Sequence, residues 1–187
     1  MNPKIHNLSL KGDSGILLGG LSVIYIFLIH YSLNDFTSSN GTLAALPISF
    51  FEILLVVISF LFILISYLSI LLINQKKRKK LNLKGWDLNA NRIRKIYMIH
   101  LIFGGIILFF LMSQSLIKLI IPVSLLLYGF SSIFVNKYSL GKTNYLGVVF
   151  LANGFLSILL PNQSFLLWGL AFGGYHIIYG VFYFKRR

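Results

Sequence analysis

Between Lys142 and Lys185 the chain runs 42 residues without an Asp, Glu, Lys or Arg, interrupted only by Pro161-Asn162-Gln163-Ser164. A helix that crosses the hydrocarbon core of a bilayer takes about 20 residues. The run is too long for one crossing and suits two, folded back at the polar tetrapeptide. Lipid is therefore the solvent this stretch demands. Only helices and closed barrels satisfy every backbone group there. The apolar runs are continuous, without the alternation of a membrane strand, and so predict helices.

The remainder of the chain agrees. Mean hydropathy is +0.82 and charged residues make up 11%, against about a quarter in soluble domains. Charge-free windows between Asp13 and Asp35, Glu52 and Lys76, Lys95 and Lys118, and Lys118 and Lys137 mark four more helices. The reading is helices at 15–33, 47–74, 95–114, 117–135, 143–160 and 164–184. This is one all-α membrane domain over 1–187, a polytopic bundle of six transmembrane helices. A re-entrant segment near Lys118 in place of one crossing is the alternative. Lys4 and Lys11 precede the first apolar stretch as in a signal peptide. That stretch, Ile16 to Tyr31, exceeds the usual apolar region of a signal and no A-x-A site follows closely, so it reads as an uncleaved anchor. With no cysteine there is no disulfide, thiolate metal site or thiol nucleophile.

Cation placement sets the expected orientation, because cytoplasmic loops carry the excess of Lys and Arg. With both termini inside, 16 of the 17 Lys and Arg are cytoplasmic, and only Lys118 falls outside. The expected location is a bacterial inner membrane, with a cytoplasmic N-terminus over 1–14 and a basic cytoplasmic loop over 75–95. In that loop Lys76, Lys77, Arg78, Lys79, Lys80, Arg92, Arg94 and Lys95 read as contacts to anionic headgroups. Each contributes on the order of 1 kcal/mol near a charged leaflet. The competing reading, a nucleic-acid or regulatory-lipid site, is weaker: the loop is too short for a domain and lacks the interleaved aromatics that bind single strands. No nucleic-acid partner is expected.

The last four helices carry the signs of a tandem hairpin repeat. At an offset of 49 residues Gly105 meets Gly154, and Gln114-Ser115 meets Gln163-Ser164. Beyond the turn the register slips by two, and Tyr128-Gly129 meets Tyr179-Gly180. Two hairpins copied in tandem share an orientation, so the symmetry axis runs along the membrane normal. On these residues 95–187 resembles the short-repeat bacterial membrane proteins that include the acid-resistance membrane protein family. The ending His176-Ile177-Ile178-Tyr179-Gly180 is also similar to small uncharacterised six-helix bacterial membrane proteins. The resemblance implies a stress-associated role with no settled chemistry. The long first loop and the basic linker depart from the short-repeat pattern.

In lipid, helices associate through close van der Waals approach, which small residues permit. Gly15 and Gly19 form one G-x-x-x-G, and Gly169 and Gly173 another. Gly169, Gly173, His176 and Gly180 fall at i, i+4, i+7 and i+11, one face of a regular helix. Gly104 and Gly105 mark the third helix. Packing within the chain is the expected use of these glycines, and a seam between copies of a homo-oligomer is the alternative.

Ionisable groups inside the spans are the candidates for chemistry. His100 and His176 sit at comparable depth in the inner half, each followed by a glycine one turn on, Gly104 and Gly180. At the outer side His30 is level with Glu52. Paired axial ligation of a haem by the two inner histidines, a proton or ion relay through them, and an outer gate of His30 with Glu52 are the sharp readings. The plain reading is neutral histidines hydrogen-bonded across helices, with Glu52 near a helix N-terminus that favours a carboxylate. Enzyme signatures such as H-E-x-x-H, G-x-S-x-G or a carboxylate cluster do not occur. The expectation is a non-enzymatic membrane component with a packing or stress-related role, without cofactor or metal. Two alternatives stand beside it: a small transporter or channel using the inner histidines, and an intramembrane haem or metal binder.

Overall fold

The computed structural model of the chain describes residues 6–83 and 86–184, and every regular element among them is helical. Lys4, Lys84 and Lys185-Arg186-Arg187, used above to orient the chain, lie outside the described residues. The helices are α1 Asp13–Thr37, α2 Ile48–Lys80, α3 Leu88–Ser113, α4 Ile120–Val135 and α5 Thr143–Leu159. A composite rod follows, made of α6 Ser164–Gly169, a π-helical segment Leu170–Tyr175 and α7 His176–Phe184. α1, α2, α3, Ile117–Val135 and Pro161–Tyr183 are long and apolar enough to cross a membrane, while α5 is apolar but shorter at 17 residues.

Local chemistry sets the ends of these helices. Gly12 enters α1 at φ 64°, a left-handed conformation that a side chain resists. Pro47 precedes α2, where its missing N–H costs nothing. Asp87 caps α3 by accepting the Ala90 N–H at 3.4 Å. The turns before α4 and before α6 each contain a 3-10 turn, Ile117–Leu119 and Pro161–Gln163.

The basic segment 75–95 is not the loop expected from its charge. α2 stays helical through Lys80 and α3 starts at Leu88, which leaves 81–87 as the connection. A gap in hydropathy marks where hydrocarbon ends, whereas a helix continues into water as long as its backbone bonds propagate. At 33 residues α2 is about 50 Å long, well beyond a hydrocarbon core of about 30 Å. Its last turn carries Lys77, Arg78, Lys79 and Lys80, which suits the negative end of the helix dipole.

Glycines bring two helix pairs to backbone contact. Along α4 and α5, a Cβ on Gly147 would lie 2.8 Å from the Gly129 carbonyl oxygen, and one on Gly129 3.0 Å from that of Gly147. Gly154 would meet Leu126 at 2.8 Å. Where α1 meets the composite rod, a Cβ on Gly19 would lie 2.7 Å from the Gly173 carbonyl oxygen, and one on Gly180 2.6 Å from the Ile16 nitrogen. Gly15 faces Gly180 and Gly173 faces Val23. The glycine face thus serves packing within the chain. Two members of the expected set do not take part closely: Gly105 meets no atom within 4 Å, and Gly169 meets only Ile26 at 3.8 Å. Gly104 is intermediate, with Leu127 at 3.0 Å.

The paired elements run antiparallel, so α1, α4, α5 and the rod form the centre with α2 and α3 flanking it. Only 6% of the most apolar window of α2 is buried, against 28% in α1, so α2 belongs to the periphery. Leu125, Phe150 and Ala171 are fully buried at the centre. Antiparallel packing also sorts the charges. The described cations Lys11, Lys76–Lys80, Arg92, Arg94, Lys95, Lys137 and Lys142 lie at one end of the bundle, and Lys118 lies at the other.

Gly19→Ala is expected to destabilise the protein by about 1–3 kcal/mol, the range for overpacking a tight contact. Gly105→Ala faces open space and should be neutral or stabilising by up to about 1 kcal/mol through helix propensity. Unfolding of the two variants in matched detergent or bicelles measures the difference.

Candidate functional site

His176 opens α7 directly after the π-helical segment and is fully buried. Its Nδ1 lies 2.9 Å from the Phe172 carbonyl oxygen, which can only accept, so this nitrogen carries the proton. Nε2 is therefore the acceptor of the neutral ring, and the Tyr128 hydroxyl of α4 donates to it at 2.7 Å. Tyr128, Phe150, Phe172 and His176 form a four-ring cluster with all six centroid separations between 4.6 and 6.1 Å. The cluster ties α4, α5 and the composite rod together at the centre. Both imidazole nitrogens are engaged by the chain, so the arrangement orients a neutral histidine across a helix interface. π-helical turns occur often where a side chain must be re-aimed, and this one sets His176 towards α4 and α5 while Gly173 and Gly180 face α1. The single face read from the sequence is split between two neighbours for that reason.

The structure does not bring His100 to His176. The Nδ1–H of His100 donates to the Ile96 carbonyl at 2.8 Å, and its ring lies 5.6 Å from that of Phe134. Phe134 and Tyr128 are six residues apart on α4, about 120° from each other around the axis, so α4 separates the two imidazoles. At the other end of the bundle, His30 is exposed, accepts the Asn34 amide at 3.0 Å and lies against Phe165. Glu52 is exposed on α2. Its neighbour Phe51 is the buried residue, stacked on Phe36 of α1 at 3.9 Å, which turns Glu52 outward. No contact joins His30 to Glu52 among the described residues. Among those residues no group of three or more His, Cys, Asp or Glu could hold a metal ion.

A second polar cluster, at the cation-rich end, escaped the sequence reading. The N-terminal segment 6–11 is tucked against the helix ends. His6 pairs with Asp87, and the Asp87 N–H donates to the Asn7 side chain at 3.1 Å. Asn74 is almost fully buried; it donates to the Ser9 carbonyl at 2.9 Å and accepts from the Ser14 hydroxyl at 3.3 Å. Lys77 pairs with Asp13 at 2.7 Å. Asn74, Lys77 and Arg78, spaced i, i+3 and i+4, share the helix face turned to this clasp. Two of the basic residues expected at headgroups are engaged by the chain itself. Lys77 holds Asp13 and Arg78 is buried, while Lys76, Lys79, Lys80, Arg92, Arg94 and Lys95 remain exposed. Arg92 stacks over Tyr138 and Arg94 over Trp86. The N-cap position of Asp87 was the one legible signal for this cluster.

Two open grooves lie towards the same end. One, of about 420 Å³, runs between α3 and α4 past Ile96, His100, Phe134 and Lys137. The other, of about 380 Å³, runs between α5 and the composite rod past Lys142, Val149, Ile178 and three tyrosines of the rod, Tyr175, Tyr179 and Tyr183.

Removing the Tyr128 hydroxyl leaves His176 Nε2 buried without a donor. In a double-mutant cycle, Tyr128→Phe and His176→Leu should couple by about 0.6–1.7 kcal/mol, the span of interhelical hydrogen bonds in membranes. Unfolding of the four proteins in bicelles measures it. No family model matches the chain, and no curated protein or solved structure matches it either.

Proposed function

We propose that the chain is a non-catalytic, multi-pass protein of a bacterial cytoplasmic membrane, serving as a structural or stress-associated component, with both termini in the cytoplasm. The observation that carries the non-transporting part of this reading is the filled centre. The four-ring cluster occupies the place where a pathway between the central helices would run. Several polar side chains of the spans turn back on their own helices. The Ser22 hydroxyl donates to the Leu18 carbonyl, Ser131 to Leu127, and the Asn153 amide to Val149. Such bonds satisfy a polar group in hydrocarbon without a partner chain or water.

A relay through His100 and His176 has less support, because α4 stands between them and each ring bonds locally. A haem held by the same pair has the same difficulty, and His176 would first have to release Tyr128. The charge sorting supports the orientation: a bundle with nearly all its cations at one end sits with that end on the cytoplasmic leaflet. The stress-associated part rests on the resemblance of 95–187 to short-repeat membrane proteins.

Two measurements test this reading. Vesicles loaded with a pH dye and reconstituted with the protein should dissipate a proton gradient no faster than protein-free vesicles. A leak that His176→Ala abolishes would replace the reading with the relay. The chain lacks cysteine, so single-cysteine variants report topology cleanly. Ser39→Cys should react with an impermeant maleimide in intact spheroplasts, and Asn82→Cys only after permeabilisation; the reverse pattern inverts the orientation.

A further inference from the structure

We propose that the groove between α5 and the composite rod binds one anionic phospholipid of the inner leaflet, its phosphodiester held by Lys142, Tyr179 and Tyr183 and an acyl chain laid along Leu146, Val149 and Ile178. The inference rests on the membrane reading above and adds a specific ligand site to it.

The groove has the polarity gradient that a phospholipid has. At its mouth, where α5 starts and α7 ends, the Lys142 ammonium stands over the Tyr145 ring at 5.7 Å, and Lys11 stands over Tyr183 at 5.0 Å. The Tyr183 hydroxyl accepts the Lys142 N–H at 2.9 Å, so its own proton is free to donate outward. One helical turn deeper, Tyr179 forms the floor. Its hydroxyl is buried beside Ser139 and forms no well-aligned hydrogen bond among the described residues. That hydroxyl sits where a side chain on Gly141 would be, so glycine at 141 is what admits it. An unpartnered hydroxyl in a low-dielectric site costs about 1–3 kcal/mol, and a ligand oxygen entering the groove relieves that cost. Beyond the floor the walls become apolar at Val149 and Ile178, about 10 Å in from the helix ends. Ile178 is 63% exposed, and in hydrocarbon that surface meets acyl chains.

Charge chooses the headgroup. A tyrosine-lined site alone would also suit a quaternary ammonium through cation–π contact. Lys142 and Lys11 at the mouth oppose a second cation and favour a net negative head, as basic pockets on the cytoplasmic side of membrane proteins do. The corresponding groove of the first hairpin, between α3 and α4, is poorer in donors, because its tyrosine, Tyr138, lies under Arg92.

The test is native mass spectrometry of the full chain purified in detergent and titrated with phosphatidylglycerol or phosphatidylcholine. The expected result is one phosphatidylglycerol retained in preference to phosphatidylcholine. Lys142→Gln should weaken retention about ten-fold, the scale of a hydrogen bond to a charged group. Tyr179→Phe, which keeps the ring, should weaken it several-fold. Lys118→Gln removes the same charge from the opposite end of the bundle and should leave retention unchanged. Wild-type retention in either groove variant, equal loss in Lys118→Gln, or equal retention of phosphatidylcholine overturns the proposal. These outcomes leave the membrane reading intact. Purification of the native chain as a monodisperse species without detergent would instead overturn the membrane reading itself.

Discussion

Backbone-to-backbone approach at glycine is the contact on which the bundle depends. Between helices in lipid the tails are as apolar as the side chains, so burying leucine against leucine gains little. What remains is dispersion at short range, and it rewards those surfaces that can come closest. Gly129 with Gly147, and Gly19 with Gly173, put carbonyl oxygens of one helix within about 3 Å of where a neighbour's Cβ would be. These contacts fix α4 to α5 and α1 to the composite rod. α2 and α3 lack such contacts along most of their length, and their large side chains face outward.

Two flanking helices without a glycine seam need other anchors, and the structure supplies polar ones. Tyr25 of α1 bonds Ser59 of α2 at 2.7 Å and stacks on Phe62 at 4.3 Å. At the cation-rich end the clasp of His6, Asn7, Ser9, Asp13 and Ser14 reaches α2 through Asn74 and Lys77, and the start of α3 through Asp87. Asp13 and Asp87, half of the chain's four acidic residues, are both used here. Their placement among cations gives each an opposite charge at hand. It also leaves the opposite end with only Asp35 and Glu52, and Asp35 holds the Thr42 hydroxyl and the Leu43 N–H of the first loop.

Much of this was legible in the sequence because a membrane restricts the choices. Continuous apolar runs between charges located all six rods, and the glycine spacing marked α1 and the last rod as packing helices without pairing them. The failures share a cause: they turn on where a side chain points, which hydropathy does not encode. Helices ran beyond the charge-free windows into water, so Lys77 and Arg78 joined Asn74 on one face of α2 rather than forming part of a loop. Gly105 and Gly154 align in the repeat, yet Gly105 faces open space and Gly154 packs on Leu126. Equivalent positions differ because α5 is central and α3 is peripheral. His100 and His176 share a depth and a local motif, but depth says nothing of angle, and α4 intervenes.

The π-helical segment Leu170–Tyr175 is the local irregularity that makes the centre possible. A regular helix through Gly169, Gly173, His176 and Gly180 would present all four to one neighbour, and a buried imidazole would then be pressed into the backbone seam with α1. That seam has no room for it, since even a methyl on Gly19 or Gly180 meets backbone atoms below 3 Å. One widened turn resolves the conflict. It leaves Gly173 and Gly180 against α1 and swings His176 to Tyr128 and Phe150, where its two nitrogens find a carbonyl and a hydroxyl. The same turn contains Gly173-Gly174, which have no Cβ to crowd the wider coil. The histidine is thus where it is because the glycine seam had first claim on the helix face.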